Sequence, residues 1–74
     1  MSKLPRQLSY RKVLKALRRA GFKIHRQRGS HIILVRDDPY AQVVVPAHQH
    51  LATGTLADIL DGANLTVDQF KDLL

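Results

Sequence analysis

Two turn signals divide the middle of the chain into three short segments with extended character. Gly29-Ser30 and Asp38-Pro39 are pairs of residue types that tight turns favour. The segments around them span residues 22–28, 31–36 and 41–45, and the last two are rich in β-branched side chains. Because tight turns join neighbouring antiparallel strands, the sequence predicts a three-stranded antiparallel sheet.

In the predicted first strand, alternation places Phe22 and Ile24 on one face and Lys23, His25 and Gln27 on the other. Phe22 is expected to belong to the core, as is Phe70 near the end of the chain.

Apolar residues at helical spacing predict a helix before the sheet, over residues 10–20. Ser9 is a favoured N-cap for this helix, and Gly21 can adopt the left-handed conformation that ends it. The predicted buried side consists of Tyr10, Val13, Leu14, Leu17 and Ala20.

Two capping-box patterns predict two further helices after the sheet. Thr55 and Asp58 have the required spacing, and Gly62 is expected to end the helix that they begin. Thr66 and Gln69 repeat the pattern ahead of a short last helix.

The predicted fold class is therefore α+β, with the order α-β-β-β-α and a short extra C-terminal helix. We expect the sheet to pack on the helices, as in double-stranded-RNA-binding domains. The 74 residues are long enough for one small domain, 1–74, and contain no cysteine for a disulfide or a thiolate metal site. No apolar run is long enough to span a membrane and no signal peptide is evident, so a cytoplasmic location is expected.

Charge is segregated along the chain. Residues 1–36 contain eleven Lys or Arg and no acidic residue, whereas residues 37–74 contain one Lys and six Asp. A net charge of +6 favours a polyanionic partner such as RNA, DNA or an acidic protein, although a basic surface can also be merely solvated.

His31 follows the first turn directly, and Arg26 and Arg28 precede that turn. An imidazole among fixed cations suits a phosphodiester, because the cations hold the phosphate and the ring moves protons. In RNA cleavage the base takes the proton from a 2′-hydroxyl, and this route requires no metal. The alternative is an ordinary histidine at the start of a strand, and Arg19 and Lys23 are further possible neighbours.

Other polar residues near the turn are candidates for RNA contacts. Gly29 and Ser30 shape the turn and can bind phosphate through amide and hydroxyl groups, although serine is also a common turn residue. The full set of candidate RNA-binding residues is Gly29, Ser30, Lys23, Arg26, Arg28 and His48.

His48 and His50 form a His-x-His pattern after the third predicted strand. A zinc site would also need His25 or His31 brought close by the fold, and we favour a phosphate contact or a second proton-transfer role for His48 instead. An ordinary loop histidine remains the alternative for both.

An ordered series of motifs over nearly the whole chain resembles the HicA (YcfA-like) mRNA interferase toxin family of type II toxin–antitoxin systems. The motifs are Leu14-x-x-Leu17, Gly21-Phe22, Arg28-Gly29-Ser30-His31, Val43-Val44-Val45-Pro46-x-His48, Leu51-x-x-Gly54-Thr55-Leu56-x-x-Ile59-Leu60 and Leu65-Thr66-x-x-x-Phe70. Many relatives carry a basic residue where this chain has Ala47.

The resemblance implies a double-stranded-RNA-binding-like fold and a metal-independent endoribonuclease that cleaves mRNA without a cofactor. It implies that His31 is catalytic, and that a HicB-type antitoxin binds the toxin in a hetero-oligomer and masks its active surface. The main alternative is a non-catalytic RNA-binding module with the same fold and basic face. A third possibility is a pure interaction protein that docks an acidic partner.

Overall fold

Three helices and one three-stranded antiparallel sheet make up the computed structural model, which describes residues 3–74. The elements in chain order are α1 Tyr10–Arg19, β1 Lys23–Arg28, β2 His31–Asp37, β3 Tyr40–Pro46, α2 Thr53–Ala63 and α3 Val67–Leu73. The strands lie in the order β1-β2-β3. This is the predicted α-β-β-β-α arrangement with an additional helix at the end.

Alternate residues of β2 and β3 form the sheet's contribution to the core. Ile32 lies opposite Val45 and Leu34 lies opposite Val43, and all four are buried. Paired residues in an antiparallel ladder point to the same side of the sheet, so this side faces the helices. The other side, which we call the open face, carries His31 and the residues that alternate with it along β2.

The edge strand β1 lies outside the core. Helices α1 and α2 pack against β3, at the opposite edge, and every residue of β1 is exposed. The main apolar anchor at this edge is Phe22, which precedes the strand and is 2% exposed. β1 is therefore held chiefly by its ladder with β2.

Most of the predicted helix ends are confirmed. Ser9 caps α1 by accepting a hydrogen bond from the Lys12 amide, and Gly21 follows the helix with φ +97°. Thr66 and Gln69 form a complete capping box at the start of α3, which places Phe70, 0% exposed, in the core.

The predicted limits of α2 are wrong at both ends. The helix begins at Thr53, and its N-cap is Ala52, which makes no side-chain hydrogen bond. Thr55 therefore lies within the helix and is not its N-cap. The helix also continues through Gly62 and ends at Ala63, and its C-cap Asn64 has a left-handed φ of 58°. A glycine is suited to position 62 because a Cβ there would lie 3.3 Å from Cγ1 of Val43.

Within residues 3–74 the structure contains no helix that is long and apolar enough to cross a membrane.

Candidate nucleic-acid interface

A two-residue turn fixes the position of His31. Gly29 has φ +58° and Ser30 does not have a positive φ, which matches the φ values of a type II′ hairpin turn with glycine at its first central position. Arg28 and His31 lie directly opposite one another on either side of this turn. Their side chains therefore share the open face.

A β-bulge in β1 decides which of its residues join His31. Arg26 pairs with Ile33 and Ile24 pairs with Leu34, so His25 is an extra residue in the strand. Simple alternation predicted that Lys23, His25 and Gln27 share a face, and this is wrong. Instead Lys23 and Arg26 lie opposite residues that point to the open face, while Gln27 lies opposite the buried Ile32.

The bulge allows two residues of this segment to point to opposite faces of the sheet, which regular alternation would not allow. Phe22 must point into the core and Arg28 must accompany His31 on the open face, but residues six apart point the same way in a regular strand. One extra residue between them allows both positions. The need for Phe22 and Arg28 to point to opposite faces is the feature of the sequence that could have predicted the bulge.

Three cations consequently form a line on the open face, which we call the basic row: Lys23, Arg26 and Arg28. Residues two apart on a strand are separated by roughly 6.5 Å. All three side chains are exposed, as is His31, which lies beside the end of the row at Arg28. The arrangement brings an imidazole next to fixed positive charge on an accessible surface.

The loop after β3 lies at the same end of the sheet as His31. Pro46 is the residue opposite His31, and the amide of Ala47 donates to the carbonyl oxygen of Ser30 at 2.6 Å. The amide of His48 donates to the Pro46 carbonyl at 2.8 Å, and the His48 carbonyl accepts from the Tyr10 amide at 3.1 Å. These bonds hold the His48 backbone between the hairpin and the start of α1.

The other two histidines lie elsewhere. The Nδ1 atom of His50 lies 3.2 Å from the carbonyl oxygen of Gln7, on the N-terminal segment, and His25 occupies the bulge. In the part of the chain from residue 3 onward, no three His, Cys, Asp or Glu side chains are grouped so that they could hold a metal ion. The fold therefore does not group His48 and His50 with His25 or His31, as the zinc alternative requires.

Two arginines of the basic half have structural contacts instead. Arg19, which the sequence suggested as a possible neighbour of His31, donates to the carbonyl oxygen of Leu73 at 2.8 Å and joins α1 to α3. Arg36 lies 4.7 Å from the ring centroid of Phe22 and donates to the carbonyl oxygens of Pro39 and Ala63. The positive charge at the candidate site therefore comes from β1 rather than from these two residues.

Comparison with curated proteins gives no significant match. A family model described as the HicA toxin of bacterial toxin–antitoxin systems matches residues 10–65, which include α1, the whole sheet and α2. A match over this much of the chain, with the fold described above, establishes the family and implies an antitoxin partner. The chain belongs to the HicA toxin family and is the toxin of a toxin–antitoxin system.

Proposed function

We propose that this toxin is a metal-independent endoribonuclease that cleaves mRNA in the cytoplasm with His31 as its catalytic residue. The observation that carries the proposal is the strand register, because it puts His31 and the basic row on one exposed face of the sheet. An accessible imidazole beside a line of cations combines proton transfer with phosphate binding. Membership of a toxin family supports a destructive activity on a cellular polymer.

The proposed reaction begins when His31 accepts the proton of a ribose 2′-hydroxyl. The 2′-oxygen then forms a bond to the adjacent phosphorus, and the bond from phosphorus to the 5′-oxygen breaks. The leaving 5′-oxygen takes up a proton from water and His31 returns its proton to the solvent, so the products are a 2′,3′-cyclic phosphate and a 5′-hydroxyl. Arginine and lysine side chains offset the negative charge that develops on the phosphoryl oxygens during this step.

The remaining candidate residues are assigned to substrate binding. Arg26 and Arg28 bind successive phosphates, which positions RNA without reading its sequence, and Lys23 contacts RNA at the far end of the basic row. Gly29 and Ser30 contribute amide and hydroxyl donors at the turn. His48 contacts RNA from the neighbouring loop, whose backbone is bonded to the hairpin through Ala47.

The proposed partner is a HicB-type antitoxin that forms a hetero-oligomer with the toxin and covers the open face. A surface that must attract RNA also attracts an acidic protein surface, so the same cations serve both partners. Expression of this chain alone should stop growth, and co-expression of its antitoxin should restore growth. Normal growth under strong expression of the toxin alone would contradict the proposal.

The decisive experiment is an RNA cleavage assay in the presence of a chelator. The wild-type protein should cut RNA, and His31→Ala should lower the cleavage rate by at least about a hundredfold, the usual contribution of a general base. RNA affinity of His31→Ala should remain close to wild type. His50→Ala is the matched control, because His50 is also exposed but contacts the N-terminal segment, and it should cleave normally.

The same assay tests the alternative of a non-catalytic RNA-binding module. Wild-type protein that binds RNA but leaves it intact under all conditions favours that alternative. Equal cleavage by wild type and His31→Ala would remove His31 from the mechanism.

A further inference from the structure

A cavity lies at the end of the open face that is opposite to His31. It has a volume of about 250 Å³ and is lined by Lys23, Ile24, His25, Val35 and Asp37. Asp37 ends β2 six residues beyond His31, which places the cavity roughly 20 Å from the imidazole along the strand. The basic row runs from His31 to this cavity, because Lys23 belongs to both.

The polar groups of this cavity are not used by the fold. Within residues 3–74, the side chains of Lys23, His25 and Asp37 make no hydrogen bond or ion pair with the protein. The bulge contributes one of them, because His25 is its extra residue. A cavity with a cation, a carboxylate and an imidazole that lack partners is suited to a polar ligand.

Asp37 indicates what kind of ligand this is. A carboxylate repels phosphate, so its presence at the end of a phosphate-binding row does not serve the RNA backbone. Carboxylates in nucleic-acid interfaces accept hydrogen bonds from base amino groups, and single-stranded RNA exposes the Watson–Crick edges of its bases. Ile24 and Val35 supply the apolar lining that a flat ring requires.

We propose that this cavity is a base-specificity pocket that binds a guanine of the RNA substrate, a few nucleotides from the cleaved bond. Guanine is the base whose Watson–Crick edge presents one acceptor followed by two adjacent donors. The Lys23 ammonium donates to O6, and the two oxygens of Asp37 accept from N1–H and the N2 amino group. The His25 imidazole lies against the ring. The inference rests on the proposed ribonuclease function, which it extends from reaction to substrate selection.

The size of the cavity agrees with one base. Its volume equals that of roughly eight water molecules at ~30 Å³ each, which is enough for a single purine ring. Adenine presents one donor beside one acceptor, cytosine one donor beside two acceptors, and uracil one donor between two acceptors. These edges leave one carboxylate oxygen unpaired or facing another acceptor, which weakens binding.

Nucleotide titration monitored by amide NMR tests the pocket without requiring cleavage. GMP should shift the amide signals around residues 23–25 and 35–37, and should do so at lower concentration than AMP, CMP or UMP. Asp37→Asn should weaken GMP binding about tenfold or more, as expected for loss of a bidentate contact. Asp38→Asn is the matched control, because it removes the same charge from the adjacent exposed residue, which does not line the cavity.

Mapping of cleavage sites in a mixed RNA pool completes the test. Wild type and Asp38→Asn should share a guanine preference at one fixed distance from the cut, and Asp37→Asn should lose that preference. If the protein cuts RNA but Asp37→Asn keeps the wild-type site profile, the pocket proposal is overturned. If GMP binds as described but no RNA is cut, the ribonuclease proposal fails and the guanine site remains. Equal binding of all four nucleotides, or GMP shifts confined to other residues, also overturns the pocket.

Discussion

At the residue scale, the position of His31 depends on its neighbours in the turn. Gly29 adopts a left-handed φ that costs other L-residues roughly 1–2 kcal/mol, and this lets two residues reverse the chain. The turn then places His31 directly opposite Arg28. Both the glycine requirement and the accessible histidine could be predicted from the sequence, because turn chemistry is local.

The ionisation state of His31 gives a prediction about pH. A protonated imidazole cannot accept the proton of the 2′-hydroxyl, so cleavage should slow as the pH is lowered across the assay range. RNA binding should be unchanged or tighter over the same interval, because protonation adds a cation. Single-turnover cleavage rates and fluorescence anisotropy measured on the same samples separate the two effects. A rate that does not change with pH would argue against a base at this position.

At the scale of elements, packing between segments determines strand faces and helix ends that the local sequence pattern does not predict. The lengths of the strands and the turns between them follow the sequence pattern closely. The faces of β1 do not, because they depend on Phe22 reaching the core while Arg28 stays beside His31. The same holds for α2, where Gly62 resembles a helix end in the sequence but lies inside the helix against Val43.

The two glycines of α2 predict opposite effects of the same substitution. Gly54→Ala should raise the free energy of unfolding by about 0.5 kcal/mol, because alanine favours helix and its Cβ meets open space. Gly62→Ala should lower it by about 1 kcal/mol, since its Cβ would press on Val43, which is 4% exposed. Urea denaturation of the two variants and wild type measures both values. Equal stabilisation by the two substitutions would show that Val43 moves easily to accommodate a Cβ at position 62.

At the scale of the whole molecule, the helices cover one face of the sheet and leave the other uncovered. The segregated charge of the sequence predicted a basic surface, and the register defines it as a line on β1. The sequence could not show that Arg19 and Arg36 are engaged in contacts between elements, because their partners are distant in the chain. The cavity beside Asp37 could not be predicted from the sequence either, because it forms only where the bulge of β1 lies next to the end of β2.

The basic row predicts how RNA affinity depends on salt. For single strands, the slope of log affinity against log salt is about −0.7 per phosphate contacted. Arg26→Ala should therefore make the slope shallower by about 0.7 and weaken binding at low salt. Gln27→Ala, one residue along and directed to the opposite face, should leave the slope unchanged. The measurement is RNA affinity by fluorescence anisotropy at several salt concentrations, and indistinguishable slopes for the two variants would contradict the phosphate contact of Arg26.

Because β1 extends beyond the helices, its exposed side chains are separate from the buried side chains that stabilise the fold. None of its six side chains is buried, so they contribute little to the folding energy of the rest of the molecule. Substitutions along this strand can change the binding properties of the open face at small thermodynamic cost. A toxin built in this way is free to diverge in its target while its scaffold stays the same.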